Sequence, residues 1–161
     1  MPNTQAVGVA YADPEFSSVS VTGAVSAASA AVTGAVTAAS VTATSVSGTT
    51  VTASGSLVVA SATVAATGNS QGTAAAVAAG FTLVTAADGT KGVILPAASA
   101  GLVVIIKNAD AANAILKVYP ATGDGINAVA VNSSYDMAAK TSMLLVAYDA
   151  TTWYTVPLLA S

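Results

Sequence analysis

From Phe16 to Ala87 the chain carries no Asp, Glu, Lys or Arg. The stretch is nevertheless not a run of large apolar side chains. It consists almost wholly of Ala, Val, Ser, Thr and Gly, and Phe16, Leu57, Phe81 and Leu83 are its only apolar residues larger than Val. Such a segment has little with which to fill a globular core and no acid–base groups at all. It offers β-branched and hydroxyl side chains at short spacing, which favour pleated surfaces and turns. The expectation is a repetitive β-structured rod packed against copies of itself, a building material rather than an enzyme.

The spacing is regular. VTGAV at 21–25 recurs at 32–36, and Val36, Val41, Val46 and Val51 then follow at five-residue intervals in VTAAS, VTATS, VSGTT and VTASG. A step of five matches neither the two-residue period of a strand nor the 3.6-residue period of a helix. It matches short extended pieces alternating with tight turns, as in solenoids and fibrous β-spirals. Two readings compete. An Ala-rich helix is strongest at 24–35 and 74–79, but Val, Thr, Ser and Gly each lose several tenths of a kcal/mol or more relative to Ala in a helix, which leaves helix viable only around Thr73–Ala79. A disordered linker is the other, and Val at fixed spacing argues against it.

Energetics argue for association. Burying one Val contributes roughly 1.5–3 kcal/mol, whereas ordering the backbone costs about 1–2 kcal/mol per residue. One Val in five residues cannot stabilise a lone rod, but three chains wound together bring small-residue backbones close, so a homotrimer is expected.

Charge and composition exclude several classes. The 161 residues include four Lys, no Arg, seven acids, no His and no Cys, for a net charge of −3. That leaves no basic patch for nucleic acid, no disulfide or thiolate metal site, and none of the commonest general base and metal ligand. No cofactor or metal is expected. Although 54% of residues are hydrophobic, Ser, Thr or Gly interrupts the uncharged region every few positions. No strongly apolar stretch approaches the roughly 20 residues of a membrane-spanning helix, and the first residues lack the basic and apolar regions of a secretory signal. Membrane insertion is not expected.

Residues 81–161 read differently. Strand candidates are 81–85, 92–95, 102–107, 115–119, 126–131, 143–148 and 153–158, separated by turn signals at 87–89, 108–110, 123–125, 132–134 and 149–151. Short strands at this spacing predict an antiparallel β-sandwich or jelly roll. Residues 102–106 and 143–146 are continuously apolar, which predicts strands covered on both faces. The second cover is expected to be another subunit.

Motifs with chemical meaning are weak. Gly68-Asn69-Ser70-Gln71-Gly72 fits the G-x-S-x-G elbow of a nucleophilic Ser, but that mechanism needs a His to take the proton, so a turn is expected. Gly123-Asp124-Gly125-Ile126-Asn127 lacks the acidic series of a Ca²⁺ loop and reads as a hairpin turn. Asp88, Asp110, Asp136 and Asp149 stand singly and read as local backbone acceptors. Asn132-Ser133-Ser134 is a glycosylation sequon without the context that would give it meaning. Thr42-Ala43-Thr44 is one Thr-x-Thr unit where an ice-binding surface needs a long array. Trp153 and Tyr154, with Tyr119 and Tyr148, hold most of the aromatic area. Trp153 and Tyr154 are candidates for stacking on a sugar ring if exposed, and core residues if not.

The segments GVILP at 92–96, ASAG at 98–101, VIIKN at 104–108, LKVYP at 116–120 and GDGIN at 123–127, closed by Ala147-Tyr148-Asp149 and Trp153-Tyr154, resemble a module of tailed-bacteriophage virion proteins. The resemblance covers roughly residues 81–161, and its motifs are turn and strand signatures. The Val/Thr/Ser/Ala/Gly repeat before it is similar to shafts of phage fibres and to capsid decoration proteins. The resemblance implies a homotrimer anchored by one end, and the short chain favours a head fibre or decoration protein over a tail fibre.

Three zones are therefore expected in an all-β chain. Residues 1–16 form an irregular anchoring arm, with Pro2, Tyr11, Pro14 and Phe16 as candidate capsid contacts. Residues 17–80 form a β-solenoid or β-spiral shaft, and residues 81–161 an antiparallel sandwich head. The expected function is non-enzymatic reinforcement or decoration at the capsid surface of a virion. The expected partners are the major capsid protein or another virion protein, and host-surface glycans. The alternative is a tail- or surface-associated adhesin that binds a receptor or glycan.

Overall fold

A computed structural model describes residues 22, 24, 31–43, 45–48, 50–78 and 80–156, and among them the protein is all-β, with no helix. The anchoring arm expected at 1–16, with Pro2, Tyr11, Pro14 and Phe16, lies outside the described residues, as does the tail end of the strand expected at 153–158. The chain divides into two units, Met1–Val51 and Thr52–Ser161.

In the first unit the described residues adopt no strand, and all are exposed. Val32, Val36, Val41, Val46 and Val51 have between 61% and 73% of their surface open to solvent. Among the described residues of this unit the repeat thus forms no strand, and its valines are exposed.

The described residues of the second unit form ten strands: β1 Ser61–Ala65, β2 Ala75–Ala76, β3 Gly80–Thr85, β4 Gly92–Ile94, β5 Val103–Asn108, β6 Leu116–Tyr119, β7 Gly125–Ile126, β8 Tyr135–Met137, β9 Ser142–Ala147 and β10 Thr152–Val156. They form a six-stranded sheet, ordered β1-β3-β5-β9-β10-β7, and a four-stranded sheet, ordered β2-β4-β6-β8. From β1 to β9 the chain alternates between the sheets, giving a β-solenoid arrangement of about four turns. Successive turns β1/β2, β3/β4 and β5/β6 stack in parallel. The last turn reverses, so that β8 lies antiparallel on β6 and β9 antiparallel on β5. β10 then pairs antiparallel with β9 and parallel with β7.

The expected antiparallel arrangement therefore describes only the end of the fold. The reason lies in the connections. From β1 to β6 each strand is followed by one in the opposite sheet, so the chain returns to the first sheet running the same way. The segment expected to end the shaft also contributes β1 and β2, whose partners β3 and β4 lie beyond residue 80. The helix tendency at Thr73–Ala79 gives way to a turn at 71–73 and to β2, whose Ala75 and Ala76 pair with Val93 and Ile94.

Alternation of side chains decides the core. Thr82, Val84, Val104, Ile106, Met143, Leu145, Trp153 and Thr155 turn inward from the larger sheet, and Val93, Leu116, Val118, Tyr135 and Met137 from the smaller. The apolar ones join in one cluster. At roughly 1.5–3 kcal/mol for each fully buried large side chain, this cluster is the main stabilising term. Close stacking of turns leaves no room at Gly92, where a Cβ would lie 2.6 Å from the Lys117 carbonyl oxygen and 2.7 Å from the Tyr119 ring.

Candidate interaction face

The outward side of the six-stranded sheet is apolar across four strands. Register aligns Val103, Val146 and Tyr154 in one row and Phe81, Ile105, Leu144 and Val156 in the next, with Leu83 beside Lys107 in a third. Val103, Tyr154 and Val156 are exposed, and the other apolar members are partly exposed. A shallow groove of about 360 Å³, lined by Val59, Ala60, Gly80, Val103 and Ile105, borders the patch. Lys107 is the only charged residue in these rows, and its ammonium donates to the carbonyl oxygen of Lys140.

The opposite outer face has another character. Lys117 on β6 pairs with Asp136 on β8 at 2.7 Å, and the Tyr119 hydroxyl donates to the Asn69 carbonyl at 3.1 Å. The charged pair thus lies on the outer face of the smaller sheet, and the apolar rows lie on that of the larger. The continuous apolar runs at 102–106 and 143–146 have their explanation here, because half of each run faces the core and half faces outward.

Of the two residues singled out for sugar stacking, the structure opens only one. Trp153 is fully buried, and its Nε1–H has no protein partner. Its place on the inward side of β10 removes it as a stacking residue. Tyr154, its neighbour, faces outward and meets Tyr148 edge-to-face with ring centroids 6.0 Å apart. Tyr148 is 73% exposed, so the exposed aromatic pair is Tyr148/Tyr154. Extending the alternation of β9 beyond Ala147 would have found it.

The polar motifs hold the scaffold. Ser70 pairs its hydroxyl with that of Thr73 at 2.8 Å, and its carbonyl closes the turn with the Thr73 and Ala74 amides. Gln71 donates to the Pro120 carbonyl at 2.8 Å. Asp124 is buried and accepts from the Ala98 amide at 2.8 Å, tying the 96–101 connection to the turn at 121–124. The amide of Asn127 exchanges hydrogen bonds with Thr155 on β10. Asn132 Oδ1 accepts from the Gly123 amide at 2.7 Å.

Asp88 and Asp149 are turn acceptors, as expected. The Lys91 and Thr90 amides donate to Asp88, and these bonds hold its carboxyl well below the usual carboxylate range. The Thr151 amide does the same for Asp149, whose carboxyl is also lowered. Asp110 accepts locally from the Ala114 amide. Asp136 is instead the partner of Lys117 on the neighbouring strand.

Among the described residues no group of three or more His, Cys, Asp or Glu is placed to hold a metal ion. Among the same residues there is no helix long and apolar enough to cross a membrane. The chain matches no protein-family model, no curated protein and no solved structure.

Proposed function

We propose that the protein is a non-enzymatic structural component of a phage virion, a homotrimeric head fibre or capsid decoration protein. The observation that carries this reading is the division of the molecule into two association-ready parts. One is a solenoid with an apolar outer face, and the other is a repeat whose described valines are exposed to solvent. Both leave apolar surface that a copy of the same chain would cover. The phage-like signatures support the same reading, since GVILP, VIIKN and LKVYP fall on β4, β5 and β6 and GDGIN on the turn into β7. On this reading the solenoid, which begins at β1 and not at residue 81, acts as the head, and the repeat before it as the shaft. The N-terminal arm docks on the major capsid protein or another virion protein at the capsid surface. A trimer seated where capsid subunits meet adds buried area across the junction and resists internal pressure.

The test has two steps. Light scattering on the full-length protein is expected to give three times 15.3 kDa. Co-sedimentation with empty capsids is expected to bring the trimer down, while absence of binding to capsids of every candidate host phage would overturn the capsid assignment.

One observation favours a second reading. The exposed Tyr148/Tyr154 pair is suited to stacking on a sugar, as in a tail- or surface-associated adhesin. Glycan-array binding that Tyr154→Ala abolishes would favour that reading over the structural one.

A further inference from the structure

We propose that the Leu57–Val58 bond is a site of limited proteolysis, cut by an endopeptidase that takes a large apolar side chain, and that the cut frees the solenoid intact. This goes beyond the structural reading above and does not depend on it.

The segment ahead of β1 has the accessibility that cleavage needs. Residues 52–60 are all exposed and form no strand, with Leu57 80% and Val58 88% open to solvent. No backbone hydrogen bond ties 52–59 to another described residue. The first tie comes at Ala60, whose carbonyl accepts from the Phe81 amide at 2.9 Å. A protease must draw several residues into its cleft, and a segment without ladder bonds yields them with no local unfolding.

Side-chain chemistry selects both the enzyme class and the bond. The first Lys is Lys91 and the chain has no Arg, so an enzyme that requires a basic residue finds none ahead of β1. The only acids there are Asp13 and Glu15. Leu57 is the one apolar residue larger than Val between Phe16 and Phe81, so a deep apolar specificity pocket is offered a single side chain. Hydrolysis adds water across that amide, leaving a carboxylate on Leu57 and an amine on Val58.

The solenoid withstands the same enzyme. Its most exposed described aromatic residue, Tyr148, at 73%, is held in the β9–β10 hairpin, where its amide donates to the Thr152 carbonyl at 2.8 Å. Every described core residue lies at or beyond Val64, and all ten strands begin at or beyond Ser61. Loss of the chain up to Leu57 therefore takes nothing from the described core.

The experiment adds chymotrypsin at a low ratio to the full chain and follows the products by intact mass and N-terminal sequencing. The expected result is one persistent fragment that begins at Val58 and melts at the same temperature as the solenoid in the full chain. Further cuts after Tyr11 or Phe16 fall within the part removed and leave this terminus unchanged. Leu57→Gly, at an exposed position, should keep the wild-type circular dichroism and melting and lose the Val58 terminus. A wild-type chain that stays intact after Leu57, a persistent fragment that begins within or beyond β1, or an undiminished Val58 terminus from Leu57→Gly would each overturn the site. A Val58 fragment without a cooperative melt would overturn the release of an intact solenoid.

Discussion

Trp153 and Tyr154 show how much turns on a single step along a strand. They are adjacent, and from the sequence both are candidates for the same stacking role. β10 sends the first into the core and the second to the surface. The pleat makes this choice, and residue type alone does not carry it. Trp153→Ala is expected to lower stability by about 3–5 kcal/mol in urea unfolding, as for other buried aromatic truncations. Trp153→Phe should be milder, since it gives up ring volume but no hydrogen bond. Asp88 supplies a prediction in pH. Its folded-state carboxyl lies below the ordinary value of 3.8, so its contribution is complete above that value and is lost as pH falls through and below it. The melting temperature should drop on acidification from pH 6 to pH 2, with a shallower drop in Asp88→Asn. An equal slope in the two proteins would remove Asp88 from the account.

At the scale of elements, the strands with large alternating side chains were legible. The candidates at 81–85, 92–95, 102–107, 115–119, 143–148 and 153–158 each contain or overlap a strand, whereas 126–131 is mostly turn. β1, β2 and β8 were not legible. SATVA and AA carry too little apolar bulk to announce themselves, and Tyr135-Asp136-Met137 is too short to show a period. Their positions come from ladder bonds to strands far along the chain. Pairing direction was illegible for a related reason, since turn residues mark where strands end and not which strand lies beside them. Asn108 exemplifies such long-range ties. Buried at the end of β5, it donates to the Ala114 carbonyl at 3.0 Å and the Ala138 carbonyl at 3.3 Å. Asn108→Ala would take this donor from both carbonyls, of which Ala138 keeps the Thr141 hydroxyl, and chemical denaturation should report a loss of about 1–3 kcal/mol. Gly92→Ala forces two stacked turns apart and should cost a similar amount, about 1–3 kcal/mol.

Across the whole molecule, the asymmetry between an apolar and a charged outer face was only half visible. The sequence shows that two segments are apolar on both sides, but the identity of the exposed side depends on which sheet each strand joins. The repeat presents the reverse case. Its period is plain in the sequence, yet its described residues form no sheet, because one small β-branched side chain in five residues cannot hold a lone chain in order. Replacing Val36, Val41, Val46 and Val51 together by Ser tests whether the repeat takes part in association. The expected outcome is a lower oligomer fraction at a given concentration, read by light scattering, with the melting of the solenoid unchanged.

Parallel stacking of turns also makes the fold extensible. The register carries Gly80 onto Val104 and Phe81 onto Ile105, so one full circuit of the chain returns to an equivalent position one strand higher. Duplicating residues 80–103 would therefore insert another circuit, lengthening the stack by about 4.8 Å while repeating the same inward and outward surfaces. Such a body can be resized by copying a cassette, without redesigning the reversed turn that closes one end.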